Sequence, residues 1–576
     1  MTQSRFAPSL SIVLTGSGGA GVMTAGQTLL DAATSCGLYG LMTRSTGPQI
    51  RGGEAAAMIR LSTRPVQCPG DRFDILLALD FDNVQRFAAE LPLDSASLVI
   101  ADSAAGDLPD FLKASGATAA WLPMAKLAKS VPGGRVSMIA LGALARVIGL
   151  PESSIVEAVA ASIGRKKPEA LAASEKAVLL GAANAPDAKV PRLALSGAAP
   201  GGRWSITGNE ATGFGAIKGG VKFVGGYPIT PATEILEWMA GALPQCGGVL
   251  MQAEDELASI NMIIGASFGG APSLTATAGP GLSLMIESLG LAVASETPVV
   301  VVDVMRSGPS TGIATKSEQS DLNIAVYGLH GDAPHVVTAP LSVSDCLMTA
   351  QWSVHLAETL QTPVIMLSDQ SLGQARVVVD KPADVSFATK RLVAEGKLEN
   401  YARYALTESG VSPMALPGAP GGQYTADGLT HNQKGTPSSQ AHDHIGQLDK
   451  RQRKLEVYDF SAHWADIEGE GELAVITWGS STEPLREAVE AARAEGIKIK
   501  LIALRLVSPT QPKLLAAALE GVKRLIVVEQ SHSGQFWRFL RAHYELPADV
   551  TPVARPGPLP IRPGEALALI RKGASS

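Results

Sequence analysis

Short apolar runs that lead through a glycine-rich turn into a helical pattern recur along this chain. The first is SIVLTG (11–16), which is followed by such a turn and by a helical pattern from Gly21 to about Cys36. A strand followed by a helix is the repeating unit of α/β layers. Glycine is abundant, with 60 residues, and it lets backbone approach backbone in these units. The sequence therefore predicts an α/β fold.

The strand and helix patterns fall into three segments. At about 150 residues per domain, 576 residues correspond to roughly four domains, so three large segments are plausible. The predicted strands are 11–16, 55–62, 75–80 and 97–103 in the first segment, 222–226, 248–252, 273–277, 298–304 and 363–368 in the second, and ELAVITWG, IKIKLIALRL and VKRLIVVEQ in the third. The predicted boundaries are 1–185, 205–400 and 455–576 for the domains, 186–204 for a linker and 401–454 for a long loop or linker.

The stretch from about 408 to 450 has turn composition throughout. It is too long for an ordinary connection, and loops of this length are usually functional or mobile. Three of the nine histidines, His431, His442 and His444, lie in it. They are candidate metal ligands, but we expect them to be surface histidines of a mobile loop.

Composition and charge exclude several classes of protein. The formal net charge is −6 and no basic run of five residues occurs, which argues against a nucleic-acid-binding role. The four cysteines are isolated and none forms C-x-x-C, so no zinc or iron–sulfur site is expected on this chain. Scattered cysteines, no signal-peptide pattern and no apolar stretch of about 18 residues indicate a cytoplasmic protein that does not span a membrane.

The first glycine-rich turn, GSGGAG (16–21), fits the pattern G-x-G-x-x-G between a strand and a helix. A dinucleotide site would also need an acidic residue about 20 residues on, but none occurs between Asp31 and Glu54. Arg44 is a weak alternative for a 2′-phosphate. Three interpretations stay open: NAD(P) binding, tight packing of strand and helix, and a site for another phosphate-bearing ligand.

A second turn, TGPQIRGG (46–53), presents one arginine, Arg51, on a frame of proline and glycines. Arg51 is a candidate ligand for a carboxylate or phosphate of the substrate. A structural salt bridge explains the residue equally well.

Three further motifs follow predicted strands of the second segment. In GGYPITPATE (225–234), Thr230 occupies the expected N-cap of a helix that enters at Pro231, or it contacts an anionic substrate. Glu256 opens a helix in an apolar stretch, which by itself is ordinary helix-dipole chemistry. RSGPSTG (306–312) places Arg306, Ser310 and Thr311 after the strand PVVVVDV, a composition suited to an anion-binding concavity.

Taken together and in order, these motifs resemble the large subunit of the 2-oxoacid:ferredoxin oxidoreductases, in particular the fused gamma–alpha subunit of the 2-oxoglutarate enzymes. GSGGAGVMTAG and GPQIRGGE resemble the gamma domain. GGYPITPATE through RSGPSTGIATKSEQSDL resembles the thiamine diphosphate pyrimidine-binding domain, and LRLVSPTQP and VVEQSHSGQ resemble a transketolase C-terminal domain. The resemblance covers nearly the whole chain and implies three α/β domains of these types.

The resemblance also implies site residues. The family pattern places a glutamate nine residues before a helix glycine, which fits Glu256 and Gly265 but not Glu254. Glu256 is thereby implied as the catalytic residue that hydrogen-bonds N1′ of the cofactor's aminopyrimidine. Arg306 resembles an arginine that holds the distal carboxylate of a dicarboxylic 2-oxoacid. The other candidates are Thr230, Ser310, Thr311 and Arg51 for substrate, and Tyr227, Pro228 and Ile229 for cofactor.

Two expected parts of such an enzyme are missing from this sequence. It has no Gly-Asp-Gly start of a diphosphate-binding domain and no iron–sulfur ligand pattern. The resemblance assigns both to a smaller beta subunit, which would hold Mg2+, the diphosphate of thiamine diphosphate and a 4Fe-4S cluster. It implies an alpha2beta2 heterotetramer that converts 2-oxoglutarate and coenzyme A to succinyl-CoA and CO2, reduces ferredoxin, and can run in reverse.

Three rival interpretations stay open from the sequence. The substrate is pyruvate or another 2-oxoacid if Arg306 holds the C1 carboxylate. The chain is an NAD(P)-dependent dehydrogenase if GSGGAG binds a dinucleotide. It is a non-catalytic paralogue if the retained Glu256 and Thr230 have no function.

Overall fold

The computed structural model describes residues 9–47, 54–82, 84–164, 167–195, 202–387 and 389–575. The strands are β1 (Ser9–Ser17), β2 (Tyr39–Thr46), β3 (Glu54–Ser62), β4 (Ile75–Ala78), β5 (Leu98–Asp102), β6 (Thr118–Leu122), β7 (Arg203–Thr207), β8 (Phe223–Gly226), β9 (Val249–Gln252), β10 (Ser273–Thr277), β11 (Val300–Met305), β12 (Val336–Thr338), β13 (Val364–Asp369), β14 (Arg376–Asp380), β15 (Ala465–Glu468), β16 (Leu473–Trp478), β17 (Ile499–Leu504), β18 (Leu506–Ser508), β19 (Arg524–Glu529) and β20 (Asp549–Ala554).

The α-helices are α1 (Val22–Ser35), α2 (Asp110–Ser115), α3 (Met124–Lys129), α4 (Val136–Ile148), α5 (Glu152–Ile163), α6 (Pro168–Ala183), α7 (Gly208–Gly219), α8 (Thr233–Ala242), α9 (Glu256–Phe268), α10 (Gly279–Ala294), α11 (Leu322–Tyr327), α12 (Asp345–Leu360), α13 (Gln370–Gly373), α14 (Ala441–Val457), α15 (Thr482–Ala494), α16 (Pro512–Ala518), α17 (Gln535–His543) and α18 (Pro563–Ser575). Short 3-10 helices occupy Val84–Glu90, Leu243–Cys246 and Gly479–Ser481.

The described strands form three sheets. The first has the order β6-β5-β4-β1-β3-β2-β14-β7, the second β18-β12-β13-β11-β10-β8-β9, and the third β15-β17-β16-β19-β20. The first sheet is parallel from β6 to β1 and antiparallel from β1 through β3 and β2 to β14. The other two are parallel except for β18 and β15, which lie antiparallel at an edge. The predicted α/β fold class is confirmed.

The first sheet belongs to a compact unit that comprises residues up to Ile206 with Gln374–Pro382 and Arg562–Glu565. One face of the sheet packs against α1 and α4, through residues such as Ile12, Leu29 and Leu141, which are fully buried. Two helices of this unit, α4 and α6, meet at glycines. A Cβ on Gly142 would lie 1.9 Å from the Val178 carbonyl oxygen, so only glycine permits this contact.

The second and third sheets belong to the other compact unit, which comprises Thr207–Gly373, Ala383–Ile561 and Ala566–Ser576. One hydrophobic core serves both sheets, with Val302 and Ile365 from the second and Ile502 and Leu525 from the third. The sequence predicts IKIKLIALRL as one strand, but the structure divides it at Arg505. The residues before Arg505 form β17 of the third sheet, and those after it form β18 of the second.

The side chain of Arg505 explains this division. Its guanidinium donates to Asp345 Oδ2 at 3.0 Å and to Asp466 Oδ1 at 2.8 Å. Asp345 begins α12 beside the second sheet, and Asp466 lies in β15 of the third. The arginine thus links the two layers at the residue where the chain passes from one to the other.

The long stretch before α14 lacks helices and strands in its described residues but is closely packed. Arg403, Tyr404 and Met414 are 0%, 1% and 0% exposed. His431 is 2% exposed and its ring stacks on Tyr404 at 4.8 Å, so the expectation of a surface histidine is wrong there. The stretch is held by buried side chains rather than by regular backbone pairing.

The final part of this stretch is helical, so the prediction of a loop up to 450 is wrong for residues from Ala441 onward. The buried face of α14 carries Gln447, Lys450, Lys454 and Leu455. These positions have helical spacing, but three of the four are polar, so no hydrophobic period announces the helix.

An ion cluster explains why polar residues occupy that face. Lys450 Nζ and Lys454 Nζ lie 2.5 and 2.8 Å from the two carboxylate oxygens of Glu296, and all three side chains are 0–2% exposed. Arg403 Nη2 donates to the Glu296 carbonyl oxygen at 2.8 Å. Burial alone would raise the pKa of Glu296, but the three cations hold it well below its usual range. We call Glu296, Lys450, Lys454 and Arg403 the Glu296 cluster.

Candidate active site

The second sheet brings most of the predicted site residues to one edge. Strands β9, β8, β10, β11 and β13 are parallel neighbours, so their carboxyl ends lie together. Thr230 follows β8, Glu256 follows β9, and Arg306 follows β11. Ligands of open α/β sheets bind outside the carboxyl ends of the strands. This edge is therefore the candidate active site.

The turn after β8 differs from its predicted form. The backbone N–H groups of Ala232 and Thr233 donate to the Ile229 carbonyl oxygen at 2.8 and 3.0 Å, and α8 begins only at Thr233. The prediction that Thr230 caps the helix is wrong, because this extra turn separates it from the helix. Tyr227, Pro228 and Thr230 are exposed, whereas Ile229 is half-buried.

Arg306, which follows β11, contacts the turn after β8. Its Nη1 donates to the Thr230 carbonyl oxygen at 2.7 Å, and the residue is 7% exposed. Its Nε is buried and finds no acceptor among the described residues. A buried guanidinium with an unpaired N–H is the arrangement that an anionic ligand completes.

Glu256 is the first residue of α9 and is 7% exposed. Asp255 caps the helix instead, since its carboxylate accepts from the Ala258 N–H at 2.7 Å. No hydrogen-bond donor reaches the Glu256 carboxylate from the part of the chain that the structure describes. Glu254, two residues earlier, is exposed. Glu256, which the family pattern implies as the catalytic glutamate, is thus a buried residue at this edge, whereas Glu254 is exposed.

Two glycines in the first turn of α10, Gly279 and Gly281, allow acidic side chains to approach the backbone. A Cβ on Gly281 would lie 2.0 Å from Thr277 Oγ1 and 2.8 Å from Glu256 Oε1. A Cβ on Gly279 would lie 2.6 Å from Asp321 Oδ2. Glycine is required at both positions because any side chain would displace one of these groups.

The loop that follows Arg306 closes on itself. Ser307 N–H donates to the Lys316 carbonyl oxygen and Ile313 N–H to that of Ser307, both at 2.9 Å. Ser310 and Thr311 are exposed, whereas Arg306 is buried. The structure brings Arg306 into contact with Thr230. Arg51, the remaining substrate candidate, lies outside the described residues.

Gln319 lies in the motif RSGPSTGIATKSEQSDL but is not among the predicted site residues, although it fixes this loop. The residue is 0% exposed, and its Nε2 donates to the Trp478 carbonyl oxygen at 2.8 Å. Its Oε1 accepts from Ser481 Oγ at 3.0 Å and from the Gln530 N–H at 2.7 Å. These partners belong to the third sheet and its loops, so no local pattern could have identified Gln319.

Asp303 and Asp321 also escaped the sequence analysis. Asp303 lies in β11, is 0% exposed, and neither of its oxygens receives a donor from the described residues. Its carboxyl group lies within hydrogen-bonding reach of that of Asp321, which precedes α11. The one acidic residue in the apolar strand PVVVVDV was the available signal, since an ionisable group in a fully buried strand needs a partner.

The glycine-rich turn after β1 lies between a strand and a helix, as predicted. Gly16 faces Val22 Cγ2 at 3.1 Å and Gly26 faces the Ala57 side chain at 2.8 Å, measured from a Cβ placed on each glycine. Asp80 accepts from the backbone N–H and the hydroxyl of Ser17 at 3.0 and 3.2 Å. These contacts support the interpretation that the glycines serve close strand–helix packing.

The described ranges contain no group of three His, Cys, Asp or Glu side chains arranged to hold a metal ion. Within the same residues, no helix combines the length and the apolar character needed to cross a membrane.

Sequence models of three protein families match the chain. Residues 11–184 match the family described as pyruvate ferredoxin/flavodoxin oxidoreductase, residues 214–450 its thiamine diP-binding family, and residues 463–566 the transketolase C-terminal domain. The chain is 30% identical over 589 residues to a 2-oxoacid:ferredoxin oxidoreductase subunit alpha from Sulfolobus sp, covering 91% of each chain. It is 32% identical to the 2-oxoglutarate oxidoreductase subunit KorA of Mycobacterium tuberculosis, covering 85% of this chain and 80% of the relative.

A solved structure is similar over the full length. The 2-oxoglutarate:ferredoxin oxidoreductase from Magnetococcus marinus, which was solved with 2-oxoglutarate, coenzyme A and succinyl-CoA bound, superposes with a TM-score of 0.91 at 35% identity. The match covers 99% of this chain and 100% of that one. Fold, domain order and sequence thus agree, and the chain belongs to the 2-oxoacid:ferredoxin oxidoreductase family as a subunit of the alpha type.

Proposed function

We propose that this chain is the alpha subunit of a thiamine diphosphate-dependent 2-oxoglutarate:ferredoxin oxidoreductase. The reaction is oxidative decarboxylation of 2-oxoglutarate with coenzyme A to succinyl-CoA and CO2, with ferredoxin as electron acceptor, and it can run in reverse. The names of the relatives from Mycobacterium tuberculosis and Magnetococcus marinus support this substrate.

The observation that carries the proposal is the buried Nε of Arg306, which has no acceptor among the described residues. Its Nη1 is held by the Thr230 carbonyl oxygen, so the Nε side remains to bind a carboxylate. A dicarboxylic 2-oxoacid supplies a distal carboxylate for it, whereas pyruvate has only the C1 carboxylate. A hydrogen bond to a charged group contributes about 1.5–3 kcal/mol, so Arg306 discriminates between these acids.

The residues at the sheet edge fit thiamine diphosphate. Glu256 is 7% exposed, and its carboxylate can accept a hydrogen bond from a protonated ring nitrogen. The cofactor, when bound, accepts the electron pair released by decarboxylation. Glu256 holds and returns a proton at N1′ of the aminopyrimidine, and the exposed turn with Tyr227, Pro228 and Ile229 contacts the cofactor.

Substrate binding involves the remaining candidates. The Thr230 hydroxyl is exposed beside Arg306 and donates to the substrate. Ser310, Thr311 and Arg51 are further candidates for binding the substrate.

The remaining parts of the enzyme are proposed to lie on a beta subunit. That subunit holds Mg2+, the diphosphate of the cofactor and a 4Fe-4S cluster, and it passes electrons to ferredoxin in an alpha2beta2 heterotetramer. The dispersed cysteines support this division, since Cys36, Cys68 and Cys346 are buried, Cys246 is exposed and no two of the four form a C-x-x-C motif.

The test uses the chain copurified with its beta subunit. Reduction of a low-potential acceptor, dependent on coenzyme A, is measured with 2-oxoglutarate and with pyruvate. We expect activity with 2-oxoglutarate that is lost in Glu256→Gln and retained in Glu254→Gln, the exposed matched control. Full activity of Glu256→Gln would refute the assignment of the catalytic glutamate.

The substrate is tested with Arg306→Lys, which keeps the charge but not the fork geometry. The KM for 2-oxoglutarate is expected to rise about tenfold or more, because one or both charged hydrogen bonds are lost. A preference of the wild-type enzyme for pyruvate, with Arg306 needed equally for both acids, would instead assign the arginine to the C1 carboxylate.

A further inference from the structure

The carboxyl pair of Asp303 and Asp321 lies beside the proposed substrate arginine but has no role in the reaction as described. We propose that this pair balances the charge of Arg306 and takes up one proton from solvent when a dicarboxylate binds there. The inference rests on the proposed role of Arg306 and adds a positioning function for two residues that do not touch the substrate.

The geometry requires that the two carboxyl groups share a proton. Both oxygens of Asp303 and Oδ2 of Asp321 are buried and receive no donor from the described residues. Two ionised carboxylates cannot hydrogen-bond each other, whereas a carboxylic acid can donate to a carboxylate. A buried pair of this kind therefore carries one proton and one negative charge.

The groups around the pair are mostly acidic. Glu318 faces Asp321 from the loop after β11, Asp369 ends the neighbouring β13, and Glu256 lies on the other side of the Gly279–Gly281 turn. The cation near the pair is Arg306, which attracts both aspartates without a direct ion pair. With one shared proton, the charge of the pair is opposite and equal to that of Arg306.

Burial sets the pH range in which this balance changes. It raises the pKa of Asp303 well above the usual value and that of Asp321 to about 6, with Arg306 opposing the shift in both. Near pH 7 the pair of the free enzyme thus keeps a single proton. A substrate carboxylate on Arg306 adds a second negative charge to the buried site, and a second proton on the pair restores neutrality.

The sign of the pH dependence follows from linkage. Because binding raises the pKa of the pair above about 6, the protonated enzyme binds the dicarboxylate more tightly. Affinity then increases as the pH falls toward 6, by up to about tenfold per pH unit for one linked proton, and levels off below it. No covalent bond changes in this step.

The test is isothermal titration calorimetry of the alpha–beta complex, loaded with thiamine diphosphate, with glutarate as an unreactive dicarboxylate. Titrations at pH 7 in two buffers of different ionisation enthalpy give the number of protons taken up. We expect between one half and one proton per glutarate and none with butyrate, which has one carboxylate. A series from pH 6.5 to 8.5 gives the pH dependence of the dissociation constant.

The double variant Asp303→Asn/Asp321→Asn separates the pair from a merely structural role. It removes both titratable carboxyl groups and keeps a hydrogen-bond donor and acceptor at each position. Glutarate is expected to bind without proton uptake and with an affinity that no longer depends on pH. Glu318→Gln, which removes a neighbouring carboxylate outside the pair, is expected to keep the uptake.

The outcomes distinguish the inference from the proposed function. Glutarate that binds in an Arg306-dependent way without proton uptake would overturn the inference alone. Glutarate that fails to bind, or binds equally well to Arg306→Met, would overturn the role of Arg306 and the inference with it. Proton uptake that persists in the double Asp303→Asn/Asp321→Asn variant would assign the proton to another group and overturn the inference. If that variant fails to fold, the proton uptake of the wild-type complex and the pH dependence of its dissociation constant for glutarate still test the inference.

Discussion

Replacing Glu296 by glutamine removes a carboxylate that two fully buried lysines share. The substitution keeps the shape of the side chain. Residue 296 has a φ of 53°, and this left-handed conformation is equally unfavourable for glutamate and for glutamine. The Glu296 carbonyl oxygen still accepts from Arg403. The change in stability therefore reports the ion pairs of the Glu296 cluster.

The magnitude follows from burial. Removing one partner of a buried ion pair costs about 3–5 kcal/mol, because the other charge is left uncompensated. Here Glu296 pairs with Lys450 and Lys454 at 2.5 and 2.8 Å, but the glutamine oxygen still accepts from one of them. We therefore expect a loss of about 3 kcal/mol in the free energy of unfolding at pH 7.

The loss is expected to grow as the pH falls from 8 to 6. Burial lowers the pKa of Lys450 to about 7 even though Glu296 raises it, so Lys450 of the wild type is largely protonated below pH 7 and its contribution is constant there. Without Glu296 the folded-state pKa of both lysines falls further. The unfolded state of the variant then binds more protons than its folded state below pH 7, and its stability continues to decrease.

The assay is urea unfolding followed by tryptophan fluorescence, with hydrogen exchange of residues 389–440 as a local readout. Glu472→Gln is the matched control. It breaks the Lys523 ion pair at 2.7 Å, whose side chains are 63% and 71% exposed, and is expected to cost less than about 1 kcal/mol. A loss below 1 kcal/mol in Glu296→Gln, or a loss that does not change with pH, would refute the reasoning.

Three further predictions concern the site and the fold. Gln319→Leu removes three hydrogen bonds of a buried amide and is expected to lower the free energy of unfolding by about 2–4 kcal/mol, as measured by urea unfolding. In steady-state kinetics we expect it to raise the KM for the 2-oxoacid more than it lowers kcat. Gly281→Ala places a Cβ 2.0 Å from Thr277 Oγ1 and is expected to weaken thiamine diphosphate binding at least tenfold in a cofactor titration, whereas Gly241→Ala, with open space around it, should leave the affinity unchanged. Gly142→Ala forces a Cβ against the Val178 carbonyl oxygen and should lower stability by about 1–3 kcal/mol or more; a melting temperature equal to wild type would mean that α4 and α6 do not pack this closely.

The α/β class and the positions of most strands could be predicted from local sequence patterns. Buried parallel strands are continuous apolar runs, so β10 and β11 were recognisable within two residues. The choice of Glu256 over Glu254 came from the resemblance to the family pattern and stays a prediction. The predicted helix cap at Thr230 was wrong because the turn at Ile229–Ala232 is set by two prolines and by Arg306, which is 76 residues away in sequence.

Only the tertiary structure decided which polar residues are buried together. The helix α14 has no apolar period because its buried face pairs with Glu296, more than 150 residues earlier in the chain. Gln319 and the Asp303–Asp321 pair are likewise defined by groups that meet when strands and loops converge at a sheet edge. A local pattern records the spacing of apolar side chains, whereas a buried charge depends on a partner that only folding brings near.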